Sequence, residues 1–296
     1  VFLAGKRCYH NKNNQLKGIM ANNKTIVITG CSTGIGHCVA LGLQQKGYRV
    51  FATARQKQDV AQLSALGLDS VQLDLADSAS IQTAVADILN RSDGKIYALF
   101  NNGAYGQAGA VEDLNRDALR AQFETNLFGW LELTNLILPV MRQQGYGRII
   151  QNGSLLGFVC LRYRGAYNAS KHALEGLSDT LRLELAGTHI YVSLIEPGPI
   201  ESKFRQNSLQ LFQKNINIDN SVHKTTYLRQ IQRLAKQGHA APFTLPAEAV
   251  LAQVLRALES PKPKARYYVT FPSHLFAWLK RLLPTSWLDY ILLRVD

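Results

Sequence analysis

The stretch Lys24–Gly36, KTIVITGCSTGIG, decides how this 296-residue chain is to be read. Lys24–Thr29 is a short run rich in β-branched residues, GCSTGIG follows at once, and a helical pattern fills His37–Lys46. Glycines alone mark only a turn; strand, glycine loop and helix in that order are the context a dinucleotide pyrophosphate requires. Gly30 can make the tight turn, Gly34 can let the backbone approach a phosphate, and Gly36 can let helix and strand pack closely. Backbone amides and the helix N-terminus then face the anion.

Outward from this loop, Tyr48–Thr53 reads as a second strand ending at Ala54-Arg55. An acidic residue there would accept from a ribose 2′-hydroxyl, whereas a guanidinium can fork onto a 2′-phosphate. Arg55 with no neighbouring carboxylate therefore favours NADP over NAD. Helices near Lys57–Leu66 and Ser78–Asn90 alternate with strands at Ser70–Leu73 and Lys95–Phe100. The first of these strands runs into Asp74-Leu75. The second runs into Asn101-Asn102-Gly103-Ala104, which serves either as a capped turn or as direct cofactor contact. A helix is expected from about Leu114 through Arg142, with Asn126 inside it either as a surface amide or as the holder of a water. A strand at Tyr146–Gln151, a helix from about Ala166 to Ala186 and a strand at His189–Ile195 follow. A helix near Pro246–Leu258 and a strand near Arg266–Thr270 complete the domain. Strands alternating with helices of this length imply an α/β chain whose parallel sheet is covered on both faces.

A second constellation lies in Gln151–Lys171, which carries Ser154, Tyr167 and Lys171. Tyr167 and Lys171 stand at i and i+4 and share a helix face. An ammonium beside a phenol favours the phenolate, so the Tyr167 pKa is expected to fall toward neutrality.

Composition sets the outer bounds. Apolar content of 46% with 18% charged residues marks a folded globular chain, and no apolar run is long enough to span a bilayer. Residues 1–19 read as a flexible extension lacking a secretory pattern, with Met20 as an alternative beginning. The four cysteines show no paired or metal-like spacing, which is simplest in a reduced, cytoplasmic setting with no metal. The net charge of +12, concentrated in part before residue 25, is ascribed to an anionic cofactor and solubility, since no nucleic-acid motif accompanies it. Residues 200–241 loosen into polar, amphipathic pieces of the kind that form substrate lids. Residues 273–296 hold two apolar helical pieces broken at Pro284. They either cover the pocket, form a subunit interface or lie peripherally on a membrane.

Taken together, the residues from Lys24 to about Thr270 resemble the classical short-chain dehydrogenase/reductase family. Thr29–Gly36 looks like its TGxxxGIG loop, which implies cofactor contacts from Gly30, Ser32, Thr33, Gly34, Ile35 and Gly36. Asp74 matches its adenine-side aspartate with Leu75 beside it, Pro197-Gly198 matches the segment passing the nicotinamide, and Ser202 stands where a carboxamide partner is usual. Asn126, Ser154, Tyr167 and Lys171 match the catalytic tetrad in order. The usual NNAG appears here as Asn101-Asn102-Gly103-Ala104, which leaves Asn102 and Gly103 as cofactor contacts while altering the turn. The resemblance implies a single-domain, doubly wound Rossmann fold with a parallel sheet of about seven strands, spanning residues 20–272. It implies NADP(H)-dependent hydride transfer at the carbonyl or alcohol of a hydrophobic molecule similar to steroids, retinoids or aldehydes, with reduction favoured, in a homo-oligomer. Tyr105, Phe158, Phe204, Leu211 and Phe212 are either pocket lining or ordinary core. A cofactor-binding scaffold with little turnover is the alternative.

Overall fold

A computed structural model of the chain describes residues 24–235 and 241–295; the expected extension at 1–19 and part of the 200–241 segment lie outside the described residues. Among the described residues, β1 (Thr25–Ile28), β2 (Arg49–Ala54), β3 (Asp69–Gln72), β4 (Ala98–Asn101), β5 (Gly147–Asn152), β6 (Ile190–Glu196) and β7 (Arg266–Tyr268) form one sheet. Its order is β3-β2-β1-β4-β5-β6-β7 and every neighbouring pair is parallel. This is the expected doubly wound architecture. The order reverses between β1 and β4, and that reversal opens a crevice at the carboxyl ends of the strands, where ligands of such sheets bind.

Both faces are buried, as the apolar runs in the strands require. Alternate residues of one strand point to opposite faces. Ile26 and Ile28 join one core with Val39 and Leu43 of α1 (Gly34–Gln45) and Val250 and Val254 of α9 (Glu248–Glu259). Val27 joins the other core with Ile81 and Ile88 of α3 (Ser78–Arg91), Trp130 and Leu133 of α5 (Gly129–Gln144), and Leu174 of α6 (Gly165–Glu184). The short α2 (Lys57–Ala65) connects β2 and β3.

The single helix expected from Leu114 to Arg142 is a correction. It consists of α4 (Arg116–Phe123), a π-helical turn at Glu124–Phe128 and then α5. A π turn inserts one extra residue per turn and frees a backbone carbonyl from the regular ladder. Here it drives Asn126 fully inside, so the surface-amide reading fails. Gly129 follows because a Cβ at that point would lie 1.9 Å from Leu75 O, bringing α5 backbone against the loop after β3.

The segment after β6 is more ordered than its loose pattern suggested. It forms α7 (Phe204–Asn215) and α8 (Lys224–Ala235). Tyr227 of α8 is fully buried against α7, accepts from Ala110 N at 2.9 Å and donates to Asp113. Phe212 and Ile216 pack with it, so Phe212 belongs to this small core. The tail forms α10 (Phe271–Leu282) and α11 (Thr285–Leu292), whose inner residues Phe276, Leu279, Leu288 and Ile291 pack on Leu155, Leu156 and Val159. No helix of the described residues is long and apolar enough to cross a membrane.

Candidate active site

The glycine loop is built as a tight cradle. Gly30 and Gly34 hold φ of +68° and +61°, in the left-handed region that glycine tolerates. A Cβ on Gly36 would fall 2.2 Å from Gly30 O, and one on Gly30 would fall 2.5 Å from Gly103 Cα. Thr29 Oγ1 accepts from the amides of Asn102 (2.8 Å) and Gly103 (2.9 Å), tying the loop after β4 to the loop after β1. The Asn102 side chain donates to Thr29 O and Gly30 O and accepts from Asn152 Nδ2, so it serves as the brace between three strand ends. That is the structural half of the two readings left open by the sequence.

Around this cradle the other nominated residues assemble. Leu75 packs against Gly103, and Ser202 approaches Gly34, with a gap of 3.0 Å to a Cβ built there. Asp74 Oδ1 accepts from Ala76 N, which shapes the turn after β3. Arg55 is exposed at the end of β2, near enough to Tyr105 to act on its phenol electrostatically. Ser32, Thr33 and Ile35 lie in the loop and first turn of α1. These residues fit a dinucleotide: a glycine cradle with no room for side chains, a helix N-terminus with no acidic residue in its first turn, and a cation beside the second strand.

The chemistry-bearing side chains converge on the same edge. Ser154 follows β5, and its Oγ accepts from Leu156 N at 3.1 Å. Tyr167 and Lys171 lie on α6. Phe204 at the start of α7 meets the Tyr167 ring edge-on, with centroids 5.3 Å apart, and Gly106 leaves room for it. Pro197 O accepts from Leu155 N at 2.9 Å, which fixes the Ser154 turn beside Pro197-Gly198. Asn126 is occupied with Tyr105, accepting from its N at 3.2 Å and donating to its O at 2.8 Å, and approaches Ser170 Oγ at 3.4 Å.

The expected depression of the Tyr167 pKa is overturned. Burial pushes this phenol up to about 12, with a hydrogen bond from Ser154 pulling the other way and the charge of Glu196 adding to the rise. Helical spacing brings the two side chains to one face, but Lys171 turns its Nζ onto Asn152 O at 2.6 Å, and Nζ lies 5.8 Å from the Tyr167 ring centroid. Nζ also stands 4.5 Å from the ring of Trp130, whose Nε1 donates to Gly103 O at 2.8 Å. Burial lowers the Lys171 pKa to about 7, against the raising effect of Glu196 and Glu175. Trp130 and Glu196 were missed in the sequence because nothing local distinguishes them from ordinary core and strand residues.

Of the proposed apolar lining, Phe204 stands at the site. Phe158 packs edge-on to Tyr268 at 5.8 Å, on the flank toward α10, and Phe212 is core. Tyr105 is half-buried at the loop after β4, and Leu211 half-buried on α7.

Comparison with known proteins agrees with this geometry. Residues 24–211 match the short chain dehydrogenase family. An uncharacterized oxidoreductase of Escherichia coli, YbbO, is 40% identical over 269 residues, which is 91% of this chain and 94% of that protein. Human 17-beta-hydroxysteroid dehydrogenase type 1 is 33% identical over 259 residues, 83% of this chain and 77% of that protein. A solved short-chain dehydrogenase from Streptomyces avermitilis superposes with a TM-score of 0.72 at 28% identity, covering 90% of this chain and 93% of its own. The chain belongs to the short-chain dehydrogenase/reductase family of oxidoreductases, with steroid-acting members among its relatives.

Proposed function

We propose that the chain is an NADP(H)-dependent oxidoreductase that reduces the carbonyl of an apolar aldehyde, ketone or steroid-like molecule to an alcohol, and can run the reverse. The observation that carries this reading is the convergence of Ser154, Tyr167 and Lys171 on the sheet edge beside the glycine cradle, with Phe204 against Tyr167. In the bound complex the nicotinamide supplies the hydride. Ser154 donates to the substrate oxygen and stabilises the charge that grows there. Tyr167 gives that oxygen its proton, and its half-buried, high-pKa phenol stays in the protonated form that reduction needs.

Lys171 has three donors and uses one on Asn152 O, which leaves N–H groups for the nicotinamide ribose. Asn126 fixes the Tyr105 loop and the π turn, and through them a water that carries the proton onward. Gly30, Ser32, Thr33, Gly34, Ile35 and Gly36 hold the pyrophosphate, Asp74 and Leu75 the adenine side, and Asn102, Gly103, Pro197, Gly198 and Ser202 the nicotinamide half. Arg55 holds the 2′-phosphate, which favours NADPH and hence reduction.

The tail and outer helices complete the reading. Trp278, Leu282, Trp287 and Tyr290 are exposed beside Lys280 and Arg281, a composition suited to the surface of a membrane from which an apolar substrate is drawn. Exposed Phe128 at the end of the π turn, Leu131 on α5 and Leu177 on α6 suit assembly into a homo-oligomer. The scaffold alternative has no observation in its favour, since Ser154, Tyr167 and Lys171 are all intact and convergent. The test is NADPH oxidation over aldehydes and ketones of increasing chain length and ring size. Turnover rising with apolar size supports the reading; no turnover on any of them while NADPH binds defeats it.

A further inference from the structure

Behind Ser154, on the side away from the glycine cradle, lies a pair of acids that the roles above do not use. Glu196 ends β6 and is fully buried; its Oε2 accepts from Ser154 N at 2.8 Å. Gly153 has no side chain because Glu196 fills that space, with Oε2 2.7 Å from a Cβ built there. Glu175 reaches the same place from α6, where its carboxylate acts on that of Glu196. Its Oε2 accepts from Arg266 Nη2 at 2.6 Å and Nε at 3.0 Å, and Arg266 in turn holds Asp179 at 2.6 Å. The remaining oxygens, Glu196 Oε1 and Glu175 Oε1, are both buried and receive no N–H or O–H from the protein. Two carboxylates cannot hydrogen-bond each other without a proton between them, and one shared proton satisfies both leftover oxygens at once.

We propose that Glu196 and Glu175 share one proton and act as a positioning pair for Ser154, through the chain Ser154 N–H, Glu196, Glu175 and Arg266. Glu196 touches no reacting atom. It sets where the Ser154 turn sits, and its charge acts on both Tyr167 and Lys171. Burial, followed by the neighbouring carboxylate of Glu175, raises the Glu196 pKa well above the ordinary carboxylate range, while Ser154 N–H and Arg266 oppose the rise.

The groups facing the pair are Tyr167, Lys171 and Asp179 on α6 and Arg266 and Tyr268 on β7. His172, with Lys280 and Arg281 of α10, lines an adjoining cavity of about 440 Å³ that also reaches Glu175 and Arg266. The cavity gives the shared proton a route to solvent. When that proton leaves at alkaline pH, two carboxylates stand side by side in a buried site. Their repulsion displaces Glu196 from Ser154 N, and activity falls by a step separate from any titration of Tyr167.

The significance for catalysis rests on the oxidoreductase reading, but the shared proton can be observed without it. In infrared spectra of the wild-type protein, a protonated carboxyl C=O band that shifts in D₂O and vanishes in both Glu175→Gln and Glu196→Gln is the expected result; its absence overturns the pair whatever the protein catalyses. For turnover, Glu196→Gln still accepts from Ser154 N and donates to Glu175, so kcat should stay within about 5-fold of wild type while the alkaline limb of its pH profile disappears. Glu196→Ala leaves Ser154 N unpaired and should lose about 10–100-fold in kcat while the Kd for NADPH changes little. An unchanged alkaline limb in Glu196→Gln, or glutamine no better than alanine, overturns the positioning role. If Glu196→Ala does not fold, the glutamine variants and the infrared band decide.

Discussion

Replacing Gly36 by alanine tests the cofactor cradle at its tightest point. The new Cβ would lie 2.2 Å from Gly30 O and 2.6 Å from Asn102 Nδ2. Neither neighbour can yield cheaply: Gly30 is held at φ +68°, and Asn102 is bonded to Thr29 O, Gly30 O and Asn152. Overpacking of a close-packed site costs about 1–3 kcal/mol. If α1 moves outward to relieve the contact, that cost falls on the N-terminal amides that face the pyrophosphate. At about 1.4 kcal/mol per tenfold, NADPH affinity should drop about 5–150-fold, and the braced neighbours place the expected loss in the upper part of that range. The assay is a fluorescence titration of NADPH into each protein, run beside a thermal melt. Gly176 on α6 is the matched control, because a Cβ there meets nothing within 4 Å. Gly176→Ala should stabilise the chain by about 0.5–1 kcal/mol and leave NADPH binding as it was. A Gly36→Ala protein with the wild-type melting temperature and the wild-type Kd would mean that the loop accommodates the extra methyl and is not a tight cradle.

Further outcomes follow from individual residues. Arg55→Ala should weaken NADPH about 10–150-fold, the value of a charge-assisted bond to phosphate, and barely move NADH; equal losses for both cofactors would remove Arg55 from the 2′-phosphate. Lys171→Met should abolish turnover and yet stabilise the cofactor-free chain by about 1–2 kcal/mol, because it removes a buried cation. The sign follows from the Lys171 pKa of about 7 against an ordinary 10.5: the unfolded chain binds the proton more tightly. The gain is therefore fully present below about pH 7 and shrinks toward pH 10.5, and chemical denaturation across that range would detect a flat or inverted trend. Replacing Trp278 and Trp287 by serine should reduce co-flotation with anionic liposomes, and identical soluble fractions would retire membrane contact.

The sequence carried the cradle well because turn chemistry is local: a positive-φ glycine after a β-branched run reads the same in sequence and in space. The sheet was equally legible from alternating strands and helices. Other features depend on contacts between distant segments. The π turn at Glu124–Phe128 has the same apolar rhythm as the helices on either side, so only the packing of Gly129 on Leu75 reveals it. The Tyr167 expectation rested on Cβ spacing, which fixes the shared face but not the direction of a long side chain, and the pull of Asn152 O on Lys171 crosses from another element. Phe212 stood open between pocket lining and core in the sequence, and its contact with Tyr227 decides for core. Glu196 gave no signal at all, since an acid at a strand end is ordinarily solvated and here is buried by β5, α6 and β7.

In the proposed reaction Tyr167 delivers the proton as hydride reaches a carbonyl carbon. Its most direct test is single-turnover transfer from C4-deuterated NADPH to an apolar ketone or aldehyde by wild type and Tyr167→Phe, with NADPH affinity measured on the same samples. Stereospecific deuterium is expected in the alcohol product of the wild type, and in Tyr167→Phe a loss of about 100-fold or more with NADPH affinity retained. Deuterium transfer at the wild-type rate by Tyr167→Phe would contradict it.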